Sequence, residues 1–105
     1  MNLLRDVSLD ALLAFAEFAE DGNFSRAALR LHLSQPALHA KVGKLGAAIG
    51  QPLYLRRGRG IEITAVGRRV QRLARELAAT TTAFQDELLR KDAAQPVALA
   101  AGEGA

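Results

Sequence analysis

Cysteine is absent from the 105 residues, which excludes a disulfide framework, a Cys-ligated zinc site and a thiol nucleophile. Histidine is nearly absent too. His32 and His39 stand seven apart, with no acid three or four positions after either. No nucleophile–base pair and no metal-ligand set can be assembled from them, so neither an enzyme nor a bound cofactor or metal is expected. Gly58-Arg59-Gly60 is too short for a phosphate-binding glycine fingerprint and does not open a helix. Long apolar runs are also missing. Met1 to Gly22 is interrupted by Arg5, Asp6, Asp10 and Glu17, leaving neither a signal-peptide core nor the ~18 apolar residues of a membrane span. A cytoplasmic protein, with no membrane partner, is the expectation. Only three prolines occur and half the residues are apolar, which suits a compact helical domain with an appendage.

Acidic residues are scarce in the middle of the chain. Residues 22–75 carry eleven Lys and Arg against the single acid Glu62, a net +10. The preceding stretch nets −4 and the following one −3, so the overall +3 hides a basic block between two acidic ends. Such a block favours the approach of a polyanion, because each phosphate neutralised releases condensed counterions. Charge alone is equally compatible with a solvated arginine-rich surface. The structure on which the charge sits decides between them.

The spacing of apolar residues predicts a first helix over Leu9 to Glu20, capped by Ser8 and stopped at Gly22, with Leu9, Leu12, Leu13, Ala16 and Ala19 inward. A short second helix is expected from Arg26 to Leu31, capped by Ser25 and burying Ala27, Ala28 and Leu31. Ser34 then caps a third helix with Pro36 in its first turn and an inward stripe of Leu38, Val42, Leu45 and Ile49. Steps of about 100° put Pro36, Ala40, Gly43 and Ala47 on its opposite side. Two helices joined by a turn of about three residues read as helix-turn-helix. Leu53–Arg56 and Ile61–Ile63 read as strands of a hairpin around Arg57-Gly58-Arg59-Gly60, with glycines at positive φ: a wing bearing arginines. Thr64 caps a long helix running to about Arg90. Its stripe of Val66, Val70, Leu73, Leu77, Thr81, Phe84 and Leu88 is too extended for one small domain to cover.

Four segments in register carry a resemblance. They are Gly22-Asn23-Phe24-Ser25-Arg26-Ala27-Ala28, Leu33-Ser34-Gln35-Pro36-Ala37-Leu38, Leu53-Tyr54-Leu55-Arg56 with Arg59, and Thr64-Ala65-Val66-Gly67. Over roughly residues 7–90 the chain resembles the N-terminal winged helix-turn-helix and linker helix of LysR-type transcriptional regulators. The resemblance implies a mainly α fold of three helices plus a two-stranded wing, followed by a long dimerisation helix. It divides the chain into a DNA-binding domain at 7–64, a linker helix at 65–90, and, at 91–105, a hinge and the start of an effector-binding domain that is otherwise missing. Operator DNA, a second copy of the chain, and a small-molecule effector acting through the missing domain are the partners implied, in a bacterial cytoplasm at the nucleoid. The sequence departs from the family where Ser then Arg is common and this chain has His39 and Ala40, and where Leu-Glu is common and it has Leu45-Gly46.

The major groove admits one helix, whose side chains read base edges. Gln35 and His39 are the candidates for base contacts, to adenine and guanine respectively. Pro36 and Ala37 offer apolar contact to a thymine methyl. Lys41 and Lys44 suit phosphate, positioning the helix without reading sequence. Ser25 and Arg26, together with Ser34, lie at helix starts, where backbone N–H groups favour an anion. The resemblance assigns Arg56 and Arg59 to the DNA backbone or minor groove. Arg68, Arg69, Arg72 and Arg75 are expected to form a solubilising face. Val70, Leu73, Leu77, Phe84 and Leu88 are assigned to the dimer seam. The competing reading is a helical interaction or oligomerisation module whose basic face is incidental.

Overall fold

A computed structural model describes the backbone of residues 1–94 and the side chains of residues 1–90. The chain divides into two units, residues 1–75 and 76–105. The first holds α1 (Leu3–Asp6), α2 (Leu9–Asp21), α3 (Phe24–Leu31), α4 (Gln35–Ile49), the hairpin β1 (Tyr54–Arg57) and β2 (Gly60–Ile63), and the opening turns of α5 (Ala65–Ala94). The result is the expected mainly helical, winged helix-turn-helix architecture. The expected hinge and opening strand at 91–105 fall outside the residues whose side chains are described.

Polar side chains define the helix starts. Ser8 accepts from the Ala11 amide at 3.1 Å and Ser34 from the Ala37 amide at 3.2 Å, each satisfying one orphan N–H of the first turn. The second cap is a correction. Asn23, not Ser25, accepts from the Arg26 amide at 2.9 Å, so α3 begins at Phe24 and Ser25 lies within its first turn. Asparagine caps as well as serine does, and starting earlier lets Phe24 enter the core. At the other end of α3, His32 takes the left-handed conformation, φ 58°. Its amide donates to Leu29, and that of Leu33 to Ala28 at 2.9 Å, closing the helix and turning the chain sharply into α4.

The core gathers on α2. Phe15, Phe18, Ala16 and Ala19 are fully buried, together with Ala27, Leu38 and Ala74. The predicted stripe held Leu12, Ala16 and Ala19, but missed both phenylalanines and placed Leu9 inside, where it is in fact exposed. Phe24 stacks on Phe18 with centroids 4.1 Å apart, and Tyr54 of β1 meets both rings edge-on at 5.5 and 5.6 Å. Edge-to-face contact of this kind adds to the area buried and ties the wing to the helical core.

The hairpin pairs Tyr54 with Ile63, Leu55 with Glu62, Arg56 with Ile61 and Arg57 with Gly60. Arg57 therefore ends the first strand rather than standing in the turn. Of the two turn residues, Gly58 alone has positive φ, 56°, the pattern of a type II′ turn; Gly60 belongs to β2 and does not. Next, Thr64 fastens the start of α5. Its hydroxyl donates to the Pro52 carbonyl at 2.8 Å and accepts from the Gly67 amide at 3.0 Å, while its own amide donates to Leu53 at 3.1 Å. Among the described residues no helix is long and apolar enough to cross a membrane.

Within the second unit, α5 continues to Ala94, beyond the predicted end near Arg90. Every side chain from Ala79 to Arg90 is exposed, including Phe84 at 59% and Leu88 at 47%. The seam assignment needs one change. Val70 is only 8% exposed and belongs to the core of the first unit, as does Ala74, whereas Leu73, Leu77, Phe84 and Leu88 remain exposed.

Candidate nucleic-acid interface

Helix α4 presents two unlike faces. Leu38, Val42 and Leu45 are buried, with Ile49 half-buried against the core. Gln35, Pro36, His39, Ala40, Gly43, Lys44 and Ala47 are exposed. The outer face is thus nearly bare of bulk beyond its first turns: an added Cβ at Gly43 would meet nothing within 4 Å. Ala37 is half-buried beside Leu38, so its methyl is less open than Pro36 to an apolar contact from outside.

Ion pairs redistribute the basic block. Arg30 donates to the Glu17 carboxylate at 2.9 Å and to the Glu17 carbonyl at 3.0 Å, with Asp21 at 3.5 Å. The Glu17 hydrogen bond, helped by Asp21, holds the guanidinium above its ordinary pKa against the opposing desolvation. Arg26 faces Asp21 at 3.8 Å, Lys41 bonds Asp10, and Arg57 bonds Glu62 across the hairpin. Arg75 reaches Glu20 at 2.7 Å and the Ala16 carbonyl at 3.4 Å, and Arg68 reaches the Ala19 carbonyl at 3.1 Å. Arg68 and Arg75 therefore fasten α5 to α2 rather than forming a solubilising face. For Arg68 the reason is that Gly22 ends α2 within reach and leaves the Ala19 carbonyl without an intrahelical partner, whereas Arg75 adds a second donor to the Ala16 carbonyl inside the helix. The acidic N-terminal stretch is largely the counter-charge of the basic middle, a pairing between α2 and later helices that charge counting could not show.

Among the described residues of the basic block, Lys44, Arg56, Arg59, Arg68, Arg69 and Arg72 have no carboxylate within 4.0 Å, Arg68 being held instead by the Ala19 carbonyl and Gln71. Lys44 lies on the exposed side of α4. Arg59 stands in the wing turn, and Arg56 is exposed on the strand face shared with Tyr54, Ile61 and Ile63. Arg57 and Glu62 occupy the other face. The fold thus separates two adjacent wing arginines into one neutralised and one free. Ser25 and Arg26 are exposed at the start of α3, and Ser34 is occupied as a cap. Lys41 is only partly exposed and held to Asp10, so of the two lysines Lys44 has the freer ammonium.

These features, a capped helix with a bare outer face followed by an arginine-bearing hairpin, coincide with a known family. Residues 9–68 match the model of the bacterial regulatory helix-turn-helix proteins of the lysR family. The chain belongs to this family. A RuBisCO operon transcriptional regulator of Acidithiobacillus ferrooxidans is 44% identical over 64 residues, 61% of this chain and 21% of that protein. The crystal structure of the BenM DBD with catB site 1 DNA superposes with a TM-score of 0.76 at 25% identity, covering 81% of this chain and 94% of that one. The CbnR DBD–DNA complex gives 0.73 at 34% identity, with coverage of 80% and 97%. The match to the full-length regulator spans about a fifth of its length, whereas the two DNA-bound domains are covered almost whole.

Proposed function

We propose that the chain binds operator DNA as a dimer, inserting α4 into the major groove and setting the wing on the adjoining strand. The observation that carries this reading is the pairing of α4's bare outer face with the uncompensated Arg56 and Arg59 of the next element. Gln35 and His39 read bases; Pro36 and Ala37 touch a thymine methyl. Ser25, Arg26, Lys44, Arg56 and Arg59 meet phosphate or the minor groove. Lys41 joins them only when DNA competes successfully with Asp10. The exposed face of α5, from Leu73 and Leu77 to Phe84 and Leu88, pairs with the same helix of a second copy. Any small-molecule effector acts outside the matched segment, and the setting is the bacterial cytoplasm. The molecule is a binding module, not a catalyst.

The test is fluorescence polarisation of the chain with labelled duplexes drawn from the host genome, at fixed salt. Weak binding to every duplex and binding about 10³-fold tighter to a small subset is expected. Leu77→Asp is expected to shift the protein to monomer in sedimentation and to remove the tight class while leaving the weak one. Equal affinity for all duplexes would count against operator recognition. Loss of a protein partner rather than of DNA on Leu77→Asp would favour an interaction module instead.

A further inference from the structure

His39 stands where the family commonly has serine, and its ring is not free. The imidazole lies on the face of Phe24, centroids 3.7 Å apart and planes 19° from parallel. Phe24, itself 7% exposed, rests its other side on Phe18, which is fully buried, at 4.1 Å and 24°. Tyr54 closes the edge of both phenyl rings. Three near-parallel rings therefore run as a column from the bottom of the core to the surface of α4. Only the outermost is exposed.

An exposed histidine on a helix ordinarily samples several rotamers, and ordering it on binding opposes affinity. Here the column holds one rotamer before any ligand arrives. Gln35 stands one turn earlier on the same face of α4, and Gly43, one turn later, leaves open space beside the ring. The outer edge of the imidazole is thus presented between two turns of the helix that the proposed function places in the major groove. Guanine shows two acceptors there, N7 and O6, suited to an imidazole N–H.

We infer that Phe24 is a positioning residue, which fixes the His39 ring so that its outer N–H reads one guanine in each half-site. This rests on the operator-binding reading above. Ser25 and Arg26, which follow Phe24 directly, would then tie phosphate contact and base reading to the same first turn of α3.

The experiment selects duplexes from a pool with a randomised core, using the whole chain, and then measures relative affinities for single-base changes. Wild type is expected to select a motif containing a guanine whose replacement weakens binding about tenfold. His39→Ala should erase the preference at that base pair alone. Phe24→Leu should erase it at the same base pair while the remaining preferences and the salt dependence persist, and Phe24→Tyr, which retains the ring face, should keep it. Two results overturn the inference. One is uniform weakening by Phe24→Leu with the guanine preference intact. The other is uniform weakening by His39→Ala with a shallower salt dependence, which marks a phosphate contact. Should Phe24→Leu fail to fold, the NMR shifts of the His39 ring protons decide. Displacement upfield by the phenyl face in wild type and Phe24→Tyr supports the column, and random-coil values overturn it. A pool yielding no motif at all defeats operator recognition itself, and the inference with it.

Discussion

Gly67→Ala lowers the melting temperature by upwards of about 10 °C, the largest effect expected of any single methyl added to this chain. A Cβ at this position would stand 2.2 Å from the Leu53 carbonyl oxygen and 2.7 Å from Cγ2 of Ile63. Neither neighbour can retreat cheaply. Leu53 is buried, its carbonyl already accepts the Thr64 amide, and the preceding Pro52 carbonyl accepts the Thr64 hydroxyl. Relieving the clash means lifting α5 from the base of the hairpin. Alanine's better helix propensity, about 1 kcal/mol, does not offset overpacking that costs about 3 kcal/mol or more. Gly43→Ala is the control. With open space at that position it should raise stability by about the propensity difference. Circular dichroism melts of both variants check the pair. A Gly67→Ala protein melting within a degree or two of wild type would mean that helix and hairpin are not in this contact.

Reversing both free wing charges, Arg56→Glu with Arg59→Glu, is expected to weaken DNA binding by about 100-fold or more near 0.1 M salt. It should also flatten the plot of log affinity against log salt by about two phosphate contacts' worth. The fold should be indifferent, since both side chains are exposed and neither has a carboxylate partner among the described residues. Arg57→Gln is the internal comparison. That guanidinium is already neutralised by Glu62, which shares its face of the hairpin, so the change should cost little affinity. Polarisation titrations at several salt concentrations measure all three. An unchanged slope for the double variant would mean that the wing does not touch the strands.

How far the sequence reveals this arrangement depends on the range of the interaction. Ser8, Ser34 and Thr64 each accept from an amide three residues on, and Gly22 donates to a carbonyl four residues back, so their positions predict both ends of α2 and the starts of α4 and α5. Local sequence points to Ser25 as readily as to Asn23, because both residue types cap well; what settles it is that starting at Phe24 buries a ring against Phe18, a contact between helices. Phe15 and Phe18 escaped the inward stripe because α2 is packed on more than one side, so no single narrow stripe describes it. Long-range polar contacts were illegible altogether. Nothing local to Arg68 or Arg75 announces the Ala19 and Ala16 carbonyls, and nothing near Lys41 announces Asp10. Of the candidate interface, Gln35, Pro36, His39, Lys44, Arg56 and Arg59 lie exposed where the periodicity and hairpin pattern put them. The stack of His39 on Phe24 could have been suspected only by knowing how α3 crosses α4.

In the proposed complex duplex DNA lies against the start of α3, the outer side of α4 and the free arginines of the wing. Amide-resolved NMR titration with a selected duplex addresses this placement most directly. The expected result is perturbation concentrated at Ser25–Arg26, Gln35–Lys44 and Arg56–Arg59, with the α2 residues that pair to Arg68 and Arg75 unmoved. Perturbation centred on α2, with α4 and the wing silent, would contradict it.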